Sequence, residues 1–143
     1  CTPNSVITLI KSLNIDIVGK NVVVLGRSNI VGKPVAQLLL NENATVTICH
    51  SKTKNLREVC KNADILVVAI GRPKFIDETY VNENAIVIDV GTSSFEGKIT
   101  GDVDFDKVID KCRYLTPVPG GVGSLTTTLL IKNACEALQE NEY

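Results

Sequence analysis

Gly26, Arg27, Ser28 and Gly32 form a G-R-S-x-x-x-G segment between an apolar run, Asn21–Leu25, and a stretch with helical periodicity. A glycine at 26 permits a backbone shape that a side chain would forbid. A glycine at 32 lets the start of the helix lie close to a sheet or a ligand, and free N–H groups at that end favour an anion. Alone the pattern is weak, because any strand–turn–helix crossover needs glycine; a plain turn stays open at this point. Arg27 adds a planar fork suited to phosphate. The next strand bears on which phosphate. A ribose 2′-hydroxyl is usually held by Asp or Glu roughly 20 residues beyond the glycines, but this chain carries His50, Ser51, Lys52 and Thr53 there. A hydroxyl and a cation suit a 2′-phosphate, so Arg27 and Ser51 point to NADP over NAD.

A second constellation is Thr116–Thr126, "TPVPGGVGSLT". Pro117 and Pro119 stiffen it, while Gly120, Gly121 and Gly123 let backbone approach another group closely. A long turn feeding a helix is the plain alternative. His50 is the only histidine, and a lone histidine after a strand more often packs or hydrogen-bonds than catalyses. With one histidine and no C-x-x-C pair, no zinc site is expected. The cysteines are Cys1, Cys49, Cys60, Cys112 and Cys135. An odd count without close pairs suggests a reduced, cytoplasmic compartment. Cys49 and Cys135 lie in apolar stretches and are expected to be small core residues.

The elements that must position these residues alternate. Thr2-Pro3 reads as a helix start, with Val6, Leu9, Ile10 and Leu13 at helical spacing. Asn21–Leu25 reads as a strand buried on both faces, and Gly32 to about Asn41 as the first crossover helix, with Pro34 tolerated in its first turn. Ala44–Cys49, Asp64–Ile70 and Ala85–Val90 read as further strands, and Arg113–Thr116 as a short fifth. Asn55–Asn62 reads as a short amphipathic helix, and a helix from about Val122 to Gln139 closes the chain. Strands alternating with helices imply an α/β fold, a parallel sheet covered on both faces. Gly26, Ser51, Gly71 and Gly91 follow four of the strand runs, and open α/β sheets bind ligands at those carboxyl ends.

Bulk properties are those of one ordinary globular domain. The 143 residues suffice for one sizeable core. A net charge of −1 offers no basic field for nucleic acid. No apolar run of membrane-spanning length and no signal-peptide pattern occur, so no membrane partner is expected. The absence of methionine and the immediate entry into a helix at "CTPNSVITLI" suggest a piece of a longer protein.

"GRSNIVGKP", "ATVTICHSKT", "AIVIDVG", "GDVDF" and "TPVPGGVGSLT", in this order, resemble the bifunctional methylenetetrahydrofolate dehydrogenase/cyclohydrolase family, and the likeness runs from "CTP" to the final helix. The resemblance implies a Rossmann-like NADP-binding domain over residues 1–143. Two long helices, Cys1–Leu13 and Val122–Gln139, would connect it to an N-terminal catalytic domain outside this chain. It implies oxidation of 5,10-methylenetetrahydrofolate to the methenyl form by hydride transfer to NADP, then hydrolysis to 10-formyltetrahydrofolate. By the resemblance, Gly26, Arg27, Ser28, Ser51, Thr92 and Thr126 bind the cofactor. Pro119, Gly120, Gly121, Val122 and Gly123 line the folate side. The resemblance implies no catalytic residue in this chain, the central lysine belonging to the other domain. A homodimer of the parent is also implied.

Two departures from the family pattern stand out: Thr92 where isoleucine is usual, and Ser124-Leu125 where Pro-Met is usual. The apolar start of the last helix leads us to expect that both terminal helices keep an unburied face in this chain. The competing readings are a non-catalytic NADP-binding or redox-sensing module, an NAD(P)-dependent dehydrogenase of another small substrate, and a purely structural α/β domain.

Overall fold

A computed structural model describes residues 2–122. Gly123, Ser124, Leu125, Thr126, Cys135 and residues 123–139 of the expected closing helix lie outside the described residues, as does Cys1. The chain order is α1 (Thr2–Ser12), β1 (Asn21–Leu25), α2 (Gly32–Asn41), β2 (Thr45–Cys49), α3 (Leu56–Lys61) and β3 (Ile65–Val68). A short 3-10 turn at Glu78–Tyr80 follows, then β4 (Ile86–Asp89), β5 (Ser93–Phe95), β6 (Lys98–Thr100), α4 (Phe105–Val108) and β7 (Tyr114–Leu115).

Five strands pair in parallel in the order β2-β1-β3-β4-β7. The runs of Val, Ile and Leu predict this: strands buried on both faces lose the polar alternation of a half-exposed strand. Successive side chains alternate between two cores. Val22 and Val24, Ile65 and Val67, and Ile86 and Ile88 pack with Val6, Ile10, Val35 and Leu39 of α1 and α2. Val23 and Leu25, Leu66 and Val68, and Val87 pack with Cys60 of α3, Tyr80 and Val108 of α4. The sheet is thus covered on both faces, as the sequence predicts.

α1 departs from the expectation of an unburied apolar face. Val6 and Ile10 are buried against α2 and the sheet, while Asn4, Thr8 and Lys11 face outward. Its hydrophobic stripe is consumed inside the domain, leaving a polar outer surface.

The antiparallel hairpin of β5 and β6 was not predicted. Its signal is present: Glu96 (φ +50) and Gly97 (φ +76) form a two-residue turn with both residues at positive φ, the geometry that favours glycine in tight hairpins. The strands flanking it carry no continuous apolar run.

Candidate functional site

The topological switch lies between β1 and β3, because the chain leaves β1 for β2 on one side and returns to β3 on the other. Crevices at such points are where open α/β sheets take ligands. A cavity of about 340 Å³ sits there, lined among others by Gly26, Arg27, Ser28, His50, Ser51 and Arg72. A neighbouring cavity of about 550 Å³ lies at the carboxyl ends of β4 and β7, lined among others by Asp89, Thr92, Pro119, Gly120 and Gly121.

Gly26 makes the first cavity possible. Its φ is +125, and a Cβ there would run into the Ala69 carbonyl oxygen just beyond β3. Its N–H donates to the Cys49 carbonyl at 2.8 Å, tying the turn to β2. A Cβ on Gly32 would strike the Gly26 carbonyl, so α2 starts directly against the turn. Ser28 lines the cavity and also ties the turn to the start of α2. Its Oγ accepts from the N–H groups of Val31 at 3.1 Å and Gly32 at 3.2 Å, and its carbonyl accepts from Lys33 at 3.0 Å. The helix-start amides that would favour an anion are therefore satisfied from within the turn. The polar residues lining the cavity are Arg27, Ser28, His50, Ser51 and Arg72, and none of its lining residues is a carboxylate.

His50 is held by its own turn. Its Nδ1 accepts from the Lys52 N–H at 3.2 Å, and its N–H donates to Thr53 Oγ1 at 2.9 Å. Arg72 was missed because it follows Gly71 in a loop with no motif of its own; its signal is only that a strand ends there.

The second cavity brings Thr92 together with Pro119, Gly120 and Gly121. Val122 does not join them by its side chain: it is 3% exposed and packs in the core with α1 and β4. Gly120 has φ +105, and a Cβ on Gly121 would strike the Pro117 carbonyl, so the loop is compact.

Beneath both cavities lies a buried carboxylate pair that the sequence reading passed over. Asp89 ends β4 at 3% exposure, and Asp102 is fully buried. Asp89 Oδ1 accepts from Gly91 at 2.9 Å and Asp102 at 3.0 Å, and Oδ2 from Val103 at 3.0 Å. Asp102 Oδ2 accepts from Ile70 at 2.8 Å and Gly71 at 3.0 Å. A Cβ on Gly91 would meet the Asp102 carboxylate, and one on Gly101 the Asp89 carboxylate. Burial pushes the Asp89 carboxyl up to about 6 against the pull of these amides, and the nearby Asp102 adds to the rise. An aspartate ending the apolar run "AIVID", with glycines near each acid, was the available clue.

Burial raises the Cys49 and Cys112 thiols and pushes that of Cys60 to about 12, far from the thiolate needed for nucleophilic work. Among the described residues no cluster of His, Cys, Asp or Glu has metal-binding geometry, and no helix is long and apolar enough to cross a membrane.

The chain spans about half the length of the curated relatives it matches. It is 87% identical over 142 residues to a Bifunctional protein FolD of Clostridium botulinum (strain Alaska E43 / Type E3), covering 99% of this chain and 50% of that protein. It is 73% identical over 138 residues to that of Clostridium perfringens (strain 13 / Type A), again half of that protein. Among solved structures, the bifunctional dehydrogenase/cyclohydrolase FolD of Campylobacter jejuni superposes with a TM-score of 0.94 at 46% identity, covering 99% of this chain and 50% of that one. The Trypanosoma brucei enzyme, solved with NADP cofactor and an inhibitor, gives 0.90 at 41% identity, with 99% and 50% covered. Residues 1–142 match the family described as tetrahydrofolate dehydrogenase/cyclohydrolase, NAD(P)-binding domain, and to that family the chain belongs.

Proposed function

We propose that this chain is the cofactor half of an enzyme that oxidises 5,10-methylenetetrahydrofolate with NADP and hydrolyses the methenyl product to 10-formyltetrahydrofolate. One observation carries the reading. The switch-point cavity collects Arg27, Ser51, His50 and Arg72 around a turn made compact by Gly26, with no carboxylate in its lining. A carboxylate there would hold a ribose 2′-hydroxyl and repel a 2′-phosphate; a cation and a hydroxyl reverse that preference.

NADP, when bound, supplies the hydride acceptor. The work of this chain is to hold and orient it. Arg27 and Ser51 grip the 2′-phosphate, and Gly26 lets the backbone approach. Ser28 belongs to the same cofactor turn, and its Oγ holds the Val31 and Gly32 amides. Thr92 and Pro119–Gly121 line the cavity for the reacting end, where folate would meet the nicotinamide. Thr126 and Gly123 belong to the same reading. Hydride transfer needs geometry more than acid–base help from this side. The lysine and the remaining folate contacts are assigned to an N-terminal domain reached through Cys1–Leu13 and Val122–Gln139. A homodimer in the cytoplasm completes the reading.

Calorimetric titration with NADP and then NAD tests it. A charged hydrogen bond is worth about 1.5–3 kcal/mol, so Arg27→Ala weakens NADP by roughly 10- to 100-fold and leaves NAD nearly unchanged. Equal losses for both would place Arg27 on the pyrophosphate or in support of the fold, and the 2′-phosphate assignment would fall.

A further inference from the structure

The switch-point cavity has two unlike walls. Arg27 and Ser51 stand at the ends of β1 and β2. On the far side of β1, at the end of β3, stand Ile70, Arg72 and Phe75. β2 and β3 are two strand spacings apart, roughly 10 Å. A phosphate gripped between Arg27 and Ser51 is therefore displaced from Arg72, while a flat group attached to the same ribose could lie against the β3 wall.

That wall is built for a flat group. The Arg72 guanidinium lies over the Phe75 ring, 5.7 Å from its centroid. Leu56 and Ile70 add apolar surface beside it. Among the described residues Arg72 has no ion-pair partner, and it is exposed. The loop that carries it is pinned at both ends. Ile70 and Gly71 donate to the buried Asp102 carboxylate, and Lys74, two residues beyond Arg72, donates to the Gly101 carbonyl at 3.0 Å. A cation without an ion-pair partner, on a pinned loop and within cation–π reach of an aromatic ring, is preorganised to receive a flat group.

We infer that Arg72, backed by Phe75, is the stacking wall for the adenine base of the nucleotide, and that it contributes affinity without reading the 2′-phosphate. This rests on the nucleotide reading above and deepens it by dividing the cavity: Arg27 and Ser51 select the phosphate, and Arg72 holds the base.

The test is calorimetric titration of the protein and its Arg72→Ala, Arg72→Lys and Arg27→Ala variants with 2′,5′-ADP and with ADP-ribose, which lacks the 2′-phosphate. Arg72→Ala is expected to weaken both ligands by the same factor, about five- to tenfold. Arg72→Lys does not restore the loss, because it keeps the charge and discards the plane. Arg27→Ala weakens 2′,5′-ADP alone. A loss in Arg72→Ala confined to 2′,5′-ADP would make Arg72 a phosphate ligand and overturn the inference, as would rescue by lysine or no change with either ligand. If the unaltered protein shows no preference for 2′,5′-ADP while Arg72→Ala still weakens both, the 2′-phosphate assignment fails and the stacking wall stands. If the unaltered protein binds neither ligand, both fall.

Discussion

Replacing Gly26 by alanine tests whether the turn after β1 is held as tightly against β3 as the structure describes. Two costs are involved. Gly26 sits at φ +125, a region that costs a residue with a Cβ about 1–3 kcal/mol. The added methyl also meets the Ala69 carbonyl oxygen, with the carbonyl carbon 3.0 Å away. That backbone cannot retreat freely, because Ala69 N–H is bonded to the Leu25 carbonyl at 2.8 Å and Leu25 pairs with Val68. Overpacking of this kind costs about 1–3 kcal/mol. The combined loss is about 2–6 kcal/mol, against a total stability of about 5–15 kcal/mol. Gly71→Ala separates the two costs. Its φ is +70, and a Cβ there meets nothing within 4 Å, so only the left-handed penalty of about 1–2 kcal/mol applies. Urea unfolding followed by circular dichroism reads both, with unchanged m-values showing that the same surface is exposed. The close approach of β1 to β3 predicts a larger loss for Gly26→Ala than for Gly71→Ala. Equal losses would show that the β1 turn has room the structure does not give it, and the account of a backbone cradle would be wrong.

Ser28→Ala removes the acceptor for the Val31 and Gly32 amides; it should cost about 0.5–1.5 kcal/mol in unfolding free energy, while NADP affinity, measured calorimetrically, falls less than for Arg27→Ala. The Asp89 carboxyl, pushed up to about 6 mainly by burial, holds its proton more tightly in the folded state than in the unfolded chain, where it titrates near the usual value of about 3.9. Its contribution to stability is therefore complete below about pH 4 and lost as pH rises to about 6, on the order of 3 kcal/mol in all. The difference in unfolding free energy between the unaltered protein and Asp89→Asn should slope downward across that window and be flat above it; a difference independent of pH would refute the assignment.

Local chemistry explains what was legible in the sequence. Asn21–Leu25 was bounded correctly because a β-branched run closed by glycine admits few other structures. Gly32–Asn41 was equally plain, since Pro34 fits only near a helix start. The gathering of Gly26, Arg27 and Ser51 followed once β1 and β2 were parallel neighbours, because all three residues then follow the carboxyl ends of adjacent strands. What escaped depended on partners distant in the chain. The two hydrogen bonds that Ser28 Oγ accepts from the Val31 and Gly32 amides are invisible in the sequence, because they depend on how the turn folds back on α2. Val122 sits in the Pro/Gly-rich run in sequence, and only its contacts with distant core residues show its side chain to be buried. Arg72 looks like any loop cation until β3 is set beside β1, and only then does it face the same space as Ser51. The Asp89–Asp102 contact spans 13 residues and an intervening hairpin, so no local pattern announces it.

That contact gives the site its stiffness. Asp102 reaches back to Ile70 and Gly71 on the wall of the first cavity, while Asp89 holds Gly91 on the wall of the second and the backbone of Asp102 itself. Thr116, at the root of the Pro117–Gly121 loop, accepts the Asp89 N–H at 2.8 Å. The β3 loop, the β4 loop and the β7 loop are therefore fastened to one another beneath the surface that a dinucleotide would cross. Burying two acids is costly, and each is offset only by backbone amides. Leucines of similar size would pack the same space but could not bind those amides, and the loops would lose their fixed spacing. A cofactor gripped at one end and reacting at the other needs that spacing held to a fraction of an ångström, which is a sufficient physical reason for keeping two carboxylates in the core.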